Sequence, residues 1–251
     1  MKVVIIGSGN VATVMSRLLV SKGHQVLQVM SRNIDNARIL ANEMDVNYSD
    51  LSGQPDSAAD IIIVAVSDYV MMDGLLDLQC KDKLVLHTAG SVSKEVLQPL
   101  SAYYGVLYPL QSLVRDNHQI PDIPFLIDGN SDDVTKYIEE FALTLSPTVQ
   151  RVGDEGRLKL HTAAVIVSNF TNHLYAITEE FCHKESVDFD LLKPLIVETA
   201  NRIAHTSPSK LQTGPAVRKD IQTLDKHLRI LSGHPKLRTT YMRLTDSIMN
   251  P

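Results

Sequence analysis

The sequence predicts an α/β protein: a Rossmann-like, doubly wound, mostly parallel sheet over residues 1–152, followed by an all-helical domain over residues 153–251. Three observations carry that expectation. Short apolar runs alternate with amphipathic stretches through the first part of the chain, the first run ends in a glycine turn that opens directly into a helix, and from Asp154 to His183 there is no Pro and only one Gly. A length of 251 residues with 44% hydrophobic content is enough for two domains of ordinary size.

Val3-Val4-Ile5-Ile6 reads as a buried parallel strand that stops at Gly7. From Val11 the apolar spacing changes to Val11, Val14, Met15, Leu18 and Leu19, the inner face of a helix. The turn between them is Gly7-Ser8-Gly9-Asn10-Val11-Ala12. In such a turn Gly7 permits the tight reversal, Gly9 lets the backbone approach a pyrophosphate, and Ala12 is small enough for the helix to pack on the strand. The free N–H groups of the helix start favour phosphate, so Gly7, Ser8, Gly9, Asn10, Val11 and Ala12 are candidate dinucleotide ligands.

Gly23-His24 stops the helix and Gln25–Met30 forms the second strand. NAD-binding domains usually place an acid near this strand end, to bond the ribose 2′-hydroxyl. Here Ser31-Arg32-Asn33 follows instead. A hydroxyl, a guanidinium and an amide match a 2′-phosphate, so Ser31 and Arg32 point to NADP.

Ile34–Met44 reads as a helix, and Val46–Tyr48 as a weak strand. Asp60–Val66 is the most apolar strand and therefore central. In open α/β sheets, ligands bind at the carboxyl ends of the strands, which places Val66, Ser67 and Asp68 beside the cofactor. The next strand, Lys83–Leu86, ends at the same edge in His87, Thr88 and Ala89. His87 fits a general acid and equally a loop histidine packed beside the cofactor. Gly105–Ser112 again joins a strand to a polar loop and brings Tyr108 to that edge. Phe125–Ile127, a helix capped by Ser131 and running to Leu145, and a strand over Val149–Val152 complete the sheet domain.

Asp154–His183 reads as one helix, apolar on so many sides that other helices or a second subunit should bury it, and a homodimer is expected. At about 100° per residue, His161, Ser168 and Asn172 fall in one stripe, with Asn169 beside it. That stripe fits a lined cleft, and equally a set of satisfied polar groups bridging helices. Helices over Asp188–His205, Ala216–Leu231 (carrying Arg218) and Lys236–Met249 follow.

The net charge is −5, with a local +6 over residues 201–251. Those basic residues are dispersed among helical positions without interleaved aromatics, which argues for solvated helix faces and against nucleic acid. Cys80 and Cys182 form no metal or redox pair and suggest a reducing, cytoplasmic setting without a metal. No apolar run approaches the roughly 20 residues of a membrane span, and the start lacks a signal-peptide core.

The order of the GxGNVA turn, Ser-Arg after the second strand, AVSD, HTAGS, YPLQS, HTAAVIVSN and TGPAVRKDIQTLDKHL resembles one bacterial family across nearly the whole chain. Its members are Rossmann-like proteins with a helical C-terminal domain of unknown function, often labelled NADP oxidoreductases. The chain is more distantly similar to pyrroline-5-carboxylate reductase, ketopantoate reductase, deazaflavin-dependent NADP oxidoreductase and the 6-phosphogluconate dehydrogenase superfamily. The resemblance implies NADP(H) at Gly7–Ala12 and Ser31-Arg32, with the nicotinamide near Val66–Asp68 and His87–Ala89. The distant relatives' catalytic lysine is followed three or four residues on by Asn; Lys159 is followed by Thr162 and Ala163, so that role does not carry over.

Two function classes are consistent with these residues. One is an NADPH-dependent reductase of a small carbonyl or imine compound, with His161 as acid. In that reading Tyr108, Ser168, Asn169, Asn172 and Arg218 face a small-molecule substrate in a cleft between the halves, and Arg218 holds a carboxylate if the substrate is anionic. The other is an NADP-binding sensor or scaffold without turnover. Fold alone does not choose between them.

Overall fold

Strand β1 (Lys2–Ile6) sits inside an eight-stranded sheet of order β3-β2-β1-β4-β5-β6-β7-β8. The computed structural model describes residues 1–251 apart from 68, 70, 72–77, 79, 81 and 118. The other strands are β2 (Gln25–Met30), β3 (Asn47–Ser49), β4 (Ile61–Val64), β5 (Leu84–His87), β6 (Tyr103–Pro109), β7 (Phe125–Gly129) and β8 (Val149–Arg151). All neighbours pair in parallel except β6 and β7. Reversal of order at β1 and β4 makes the sheet doubly wound, as the alternation of strands and helices implies.

Both faces are buried, which is why the inner strands are apolar without alternation. One face packs Val3, Ile5, Ile63 and Leu86 against helices α1 (Asn10–Ser21), α2 (Ile34–Asn42) and α3 (Asp132–Leu145) through Met15, Leu19, Leu40, Ile138 and Phe141. The other packs Val4, Ile6, Ile62, Val64 and Val85 with Leu97, Leu100 and Tyr104. Each such aliphatic side chain contributes about 1.5–3 kcal/mol on burial. Ser131 caps α3 by accepting the Val134 N–H, and Asn33 caps α2 by accepting that of Asn36.

The chain divides into two compact units, Met1–Val167 and Ser168–Pro251. The first therefore includes α4 (Asp154–Ala164). The expected single α-helix over Asp154–His183 is corrected here: α4 gives way to a π-helical segment, Val165–Phe170, before α5 (Thr171–Lys184). Bonding from i to i+5 changes the angular step, so a stripe counted at 3.6 residues per turn does not hold through 165–170. Of the two ways the sequence offered to bury this stretch, other helices or a second subunit, the first leaves Val167 72% and Phe170 58% exposed.

The second unit contains α5, α6 (Lys193–Ile203), α7 (Ile221–Ile230) and α8 (Pro235–Met249). The expected helix over Asp188–His205 is split into a 3-10 turn, Phe189–Leu192, and α6. Within the unit, His234 Nε2 donates to Glu185 Oε1 at 2.7 Å and its ring packs edge-on against Phe181, while His227 bonds the Tyr241 hydroxyl at 2.8 Å. Among the described residues no helix is long and apolar enough to cross a membrane, and no group of His, Cys, Asp and Glu could hold a metal.

Candidate functional site

The glycine turn is built as the motif requires. Gly7 has φ +129°, and a Cβ there would overlap the Ala65 carbonyl oxygen beyond β4, so this position admits glycine for reasons internal to the fold. Gly9 differs. Its φ is −87°, and a Cβ would meet nothing within 4 Å. No atom of the described chain requires glycine at that place. The helix start beyond it carries no side-chain cap and no acid in the first turn, which leaves its N–H groups and partial positive charge for an anion. Ala12 is fully buried between α1 and the sheet.

A cleft of about 260 Å³ opens beside this turn, lined by Gly7, Ser8, Gly9, Ser31, Arg32, Asn33, Asn36, Ala65, Val66 and Ser67. Ser8 and Ser31 share a hydrogen bond of 2.8 Å across it. Arg32 is exposed and makes no hydrogen bond or ion pair among the described residues, so its guanidinium is available to a phosphate. Asn33 gives its side-chain oxygen to the α2 cap and keeps only its amide donors for a ligand. Asn10 turns its side-chain oxygen to the Arg115 N–H at 3.4 Å, which leaves its backbone N–H facing the turn as the helix begins. The chemistry of this cleft fits the phosphates of a nicotinamide dinucleotide. Asp68, expected beside Val66 and Ser67, lies outside the described residues.

The same sheet edge continues to β5 and β6. His87 is completely buried at the end of β5, with Nδ1 accepting the Ala89 N–H at 3.1 Å. Thr88 and Ala89 are buried too, and the Thr88 N–H donates to the Val64 carbonyl. His87 therefore ends β5 as a buried side chain.

At the end of β6, the Tyr108 hydroxyl lies 2.9 Å from Nδ1 of His161, with the rings edge-on at 5.8 Å. His161 is half-buried and presses on Gly90: a Cβ at Gly90 would come within 2.6 Å of the imidazole Cγ. The missing side chain at Gly90 is therefore the space into which His161 fits. Burial raises the Tyr108 phenol above its ordinary value, and the nearby Arg157 charge opposes that rise. The phenol is a neutral donor at physiological pH.

Arg157 is the residue that sequence reading missed. It is 1% exposed, and its Nη2 donates to the Val92 carbonyl and to Asp154 Oδ1. An arginine flanked by Gly156, Leu158 and Lys159 looks like any solvated helix position; its only signal was its spacing four residues before His161. Lys159 is exposed and ion-paired with Glu155, outside the site.

Ser168, Asn169, Asn172 and Arg218 belong to the second unit. Ser168 and Asn169 fall in the π-helical segment and Asn172 in α5. Arg218 is corrected from helix to an exposed turn: α7 begins only at Ile221, after Lys219 at φ 53° and the Asp220 cap, which accepts the Thr223 N–H.

Residues 123–248, half of the chain, match the model of a family described as a domain of unknown function, DUF2520. The chain belongs to the DUF2520 family. Residues 2–90 of this DUF2520 protein also match the model described as NADP oxidoreductase, coenzyme F420-dependent. Among solved structures, it is similar to Bacteroides fragilis BF3122, provisionally named an NADP oxidoreductase, at 35% identity and TM-score 0.92, over 100% of this chain and 98% of that one. It shares its fold with 1-pyrroline-5-carboxylate reductase from Streptococcus pyogenes (13% identity, TM-score 0.62, 100% and 99% covered). The same holds for the reductive aminase of Aspergillus terreus, solved with NADPH and ethyl-5-oxohexanoate (14% identity, TM-score 0.70, 98% and 92% covered). Glutamyl-tRNA reductase of Staphylococcus aureus is 27% identical over 135 residues, which is 51% of this chain but only 28% of that enzyme.

Proposed function

We propose that this DUF2520 protein is an NADP(H)-dependent oxidoreductase that reduces a small carbonyl or imine compound. The observation that carries the reading is the Tyr108–His161 pair, a phenol and an imidazole 2.9 Å apart on the sheet edge that also holds the glycine turn. The match of residues 2–90 to an NADP oxidoreductase model and the NADPH-bound reductive aminase fold support it.

Gly7–Ala12 would hold the pyrophosphate, and Ser31 with Arg32 the 2′-phosphate. The nicotinamide, when bound, supplies a hydride. Reduction of a C=O or C=N bond also needs one proton on the heteroatom, and the pair can give it. The Tyr108 hydroxyl donates to the heteroatom while the His161 imidazolium, donating through Nδ1, passes its proton to the phenol oxygen. Half-buried His161 then recovers a proton from solvent.

A homodimer belongs to the same reading. Phe170, Leu191, Leu195 and Val197 of the second unit are 58%, 76%, 63% and 58% exposed, more apolar surface than a soluble monomer ordinarily leaves open.

The reading is tested by following NADPH consumption against a panel of small imines, ketones and keto acids. Turnover with a panel member, lost in His161→Ala, supports it. Tight NADPH binding with no consumption across the panel would favour a nucleotide-binding sensor or scaffold.

A further inference from the structure

Arg157 is among the largest fully buried side chains of the protein, and the charged one of that set. Removing a guanidinium from water costs several kcal/mol unless its donors are met. Here they are met only in part: Nη2 serves Val92 and Asp154, while Nε and Nη1 find no partner among the described residues. Packing alone would be served better by an apolar side chain of similar volume. A charge kept in such a place calls for a use.

Its position suggests one. Asp154, Arg157 and His161 stand at i, i+3 and i+7 on one face of α4. All three meet the loop after β5. Asp154 accepts from Ser93 and from the Lys94 N–H, Arg157 donates to the Val92 carbonyl, and His161 fills the space over Gly90. The face of α4 is thereby fixed in register on the loop, and His161 is fixed on Tyr108.

We infer that Arg157 is a positioning residue for the Tyr108–His161 pair, locking the His161 face of α4 onto the loop after β5 and setting a permanent positive charge beside the phenol. The inference rests on the proposed proton-donating role of that pair. As Tyr108 gives its proton to a heteroatom, partial negative charge builds on the phenol oxygen until His161 replaces the proton, and an incompletely paired buried guanidinium stabilises that charge without moving. Asp154, with a side chain 39% exposed, neutralises Arg157 only in part. Among the described residues, the neighbouring titratable or charged groups on this face of the sheet are His87 from β5, Tyr104 from β6 and Asp128 from β7, the last held by Lys94 at 2.6 Å. The 3-10 turn Lys94–Leu97 adds Glu95, which is committed to Tyr104.

The test is an ultraviolet difference titration of the phenol. Subtracting the Tyr108→Phe profile from that of the full-length protein isolates Tyr108, and the same subtraction is made in Arg157→Met and Arg157→Lys backgrounds. Arg157→Met is expected to leave Tyr108 roughly tenfold less ionised at a given pH, with Arg157→Lys returning most of the difference. An unmoved transition in Arg157→Met would overturn the inference. Asp154→Asn keeps the guanidinium, removes its counter-charge and bears the test if Arg157→Met does not fold: Tyr108 must then ionise at lower pH than in the wild type, and an unmoved or higher transition overturns the inference. These titrations use no substrate, so a failure to consume NADPH would count against the oxidoreductase reading and leave the Arg157 result intact.

Discussion

The Tyr108 hydroxyl and His161 Nδ1, 53 residues apart in sequence, are joined by a 2.9 Å hydrogen bond at the end of β6. One partner comes from the sheet and the other from a helix that the sequence pattern assigned to the helical half. The bond lies on the sheet edge where the glycine turn after β1 also ends, the edge to which the proposed function assigns the proton source and the dinucleotide.

Gly90→Ala is expected to break that arrangement without touching the cofactor cleft. Its Cβ would lie 2.6 Å from His161 Cγ, so the imidazole must swing away from Tyr108. Loss of a positioned acid costs about 10²–10⁴ in rate. Turnover should fall in that range while NADPH affinity, measured by calorimetry, stays within a factor of about two.

The two glycines of the turn should separate fold from ligand. Gly7→Ala places a side chain at φ +129° and into the Ala65 carbonyl, and should cost at least about 1–3 kcal/mol of stability in denaturant unfolding. Gly9→Ala meets no atom within 4 Å and should change stability by no more than about 1 kcal/mol, yet weaken dinucleotide binding. Equal effects of both substitutions on both measurements would remove the case for a ligand at Gly9.

Arg32→Ala should weaken NADPH binding by about 1.5–3 kcal/mol, the worth of a hydrogen bond to a charged group, and leave NADH binding nearly unchanged. Wild-type protein that binds NADH as tightly as NADPH would refute the assignment of Ser31 and Arg32 to a 2′-phosphate.

Much of this was legible in the sequence because it rests on local pattern. The four apolar residues before Gly7, the helical spacing from Val11 and the Ser131 cap each depend on neighbours within a few positions, and the structure shows them as read. Arg218 and the His161–Ser168–Asn172 stripe depended instead on assuming ideal α-helix over long spans, which the π-helical segment and the turn before Asp220 interrupt. Arg157 was illegible for a different reason. Its burial is imposed by the loop after β5, more than 60 residues away, and no periodicity in its own helix records that.

A pH dependence follows from Tyr104. Its hydrogen bond to Glu95, then burial, then the Glu95 charge push the phenol from 10.0 up to about 12. The folded state favours the neutral phenol, so this contribution is complete below pH 10 and disappears as the pH rises from 10 to about 12. Wild type should lose stability over that interval relative to Tyr104→Phe; parallel stability curves would show that the Glu95 contact has no such effect.

Sedimentation at micromolar concentration should give a homodimer. Replacing exposed Leu191 and Leu195 by Glu should yield monomers if the second unit forms the contact. A monomeric wild type would contradict the dimer.

The central claim is most directly tested by the rate at which the wild-type protein, Tyr108→Phe and His161→Ala consume NADPH in the presence of small imines and carbonyl compounds. The expected result is turnover by the wild type with at least one compound, reduced by about 10²–10⁴ in both variants while each still binds NADPH. Turnover that survives both substitutions, or a wild type that binds NADPH and consumes none of it across the panel, would contradict the account.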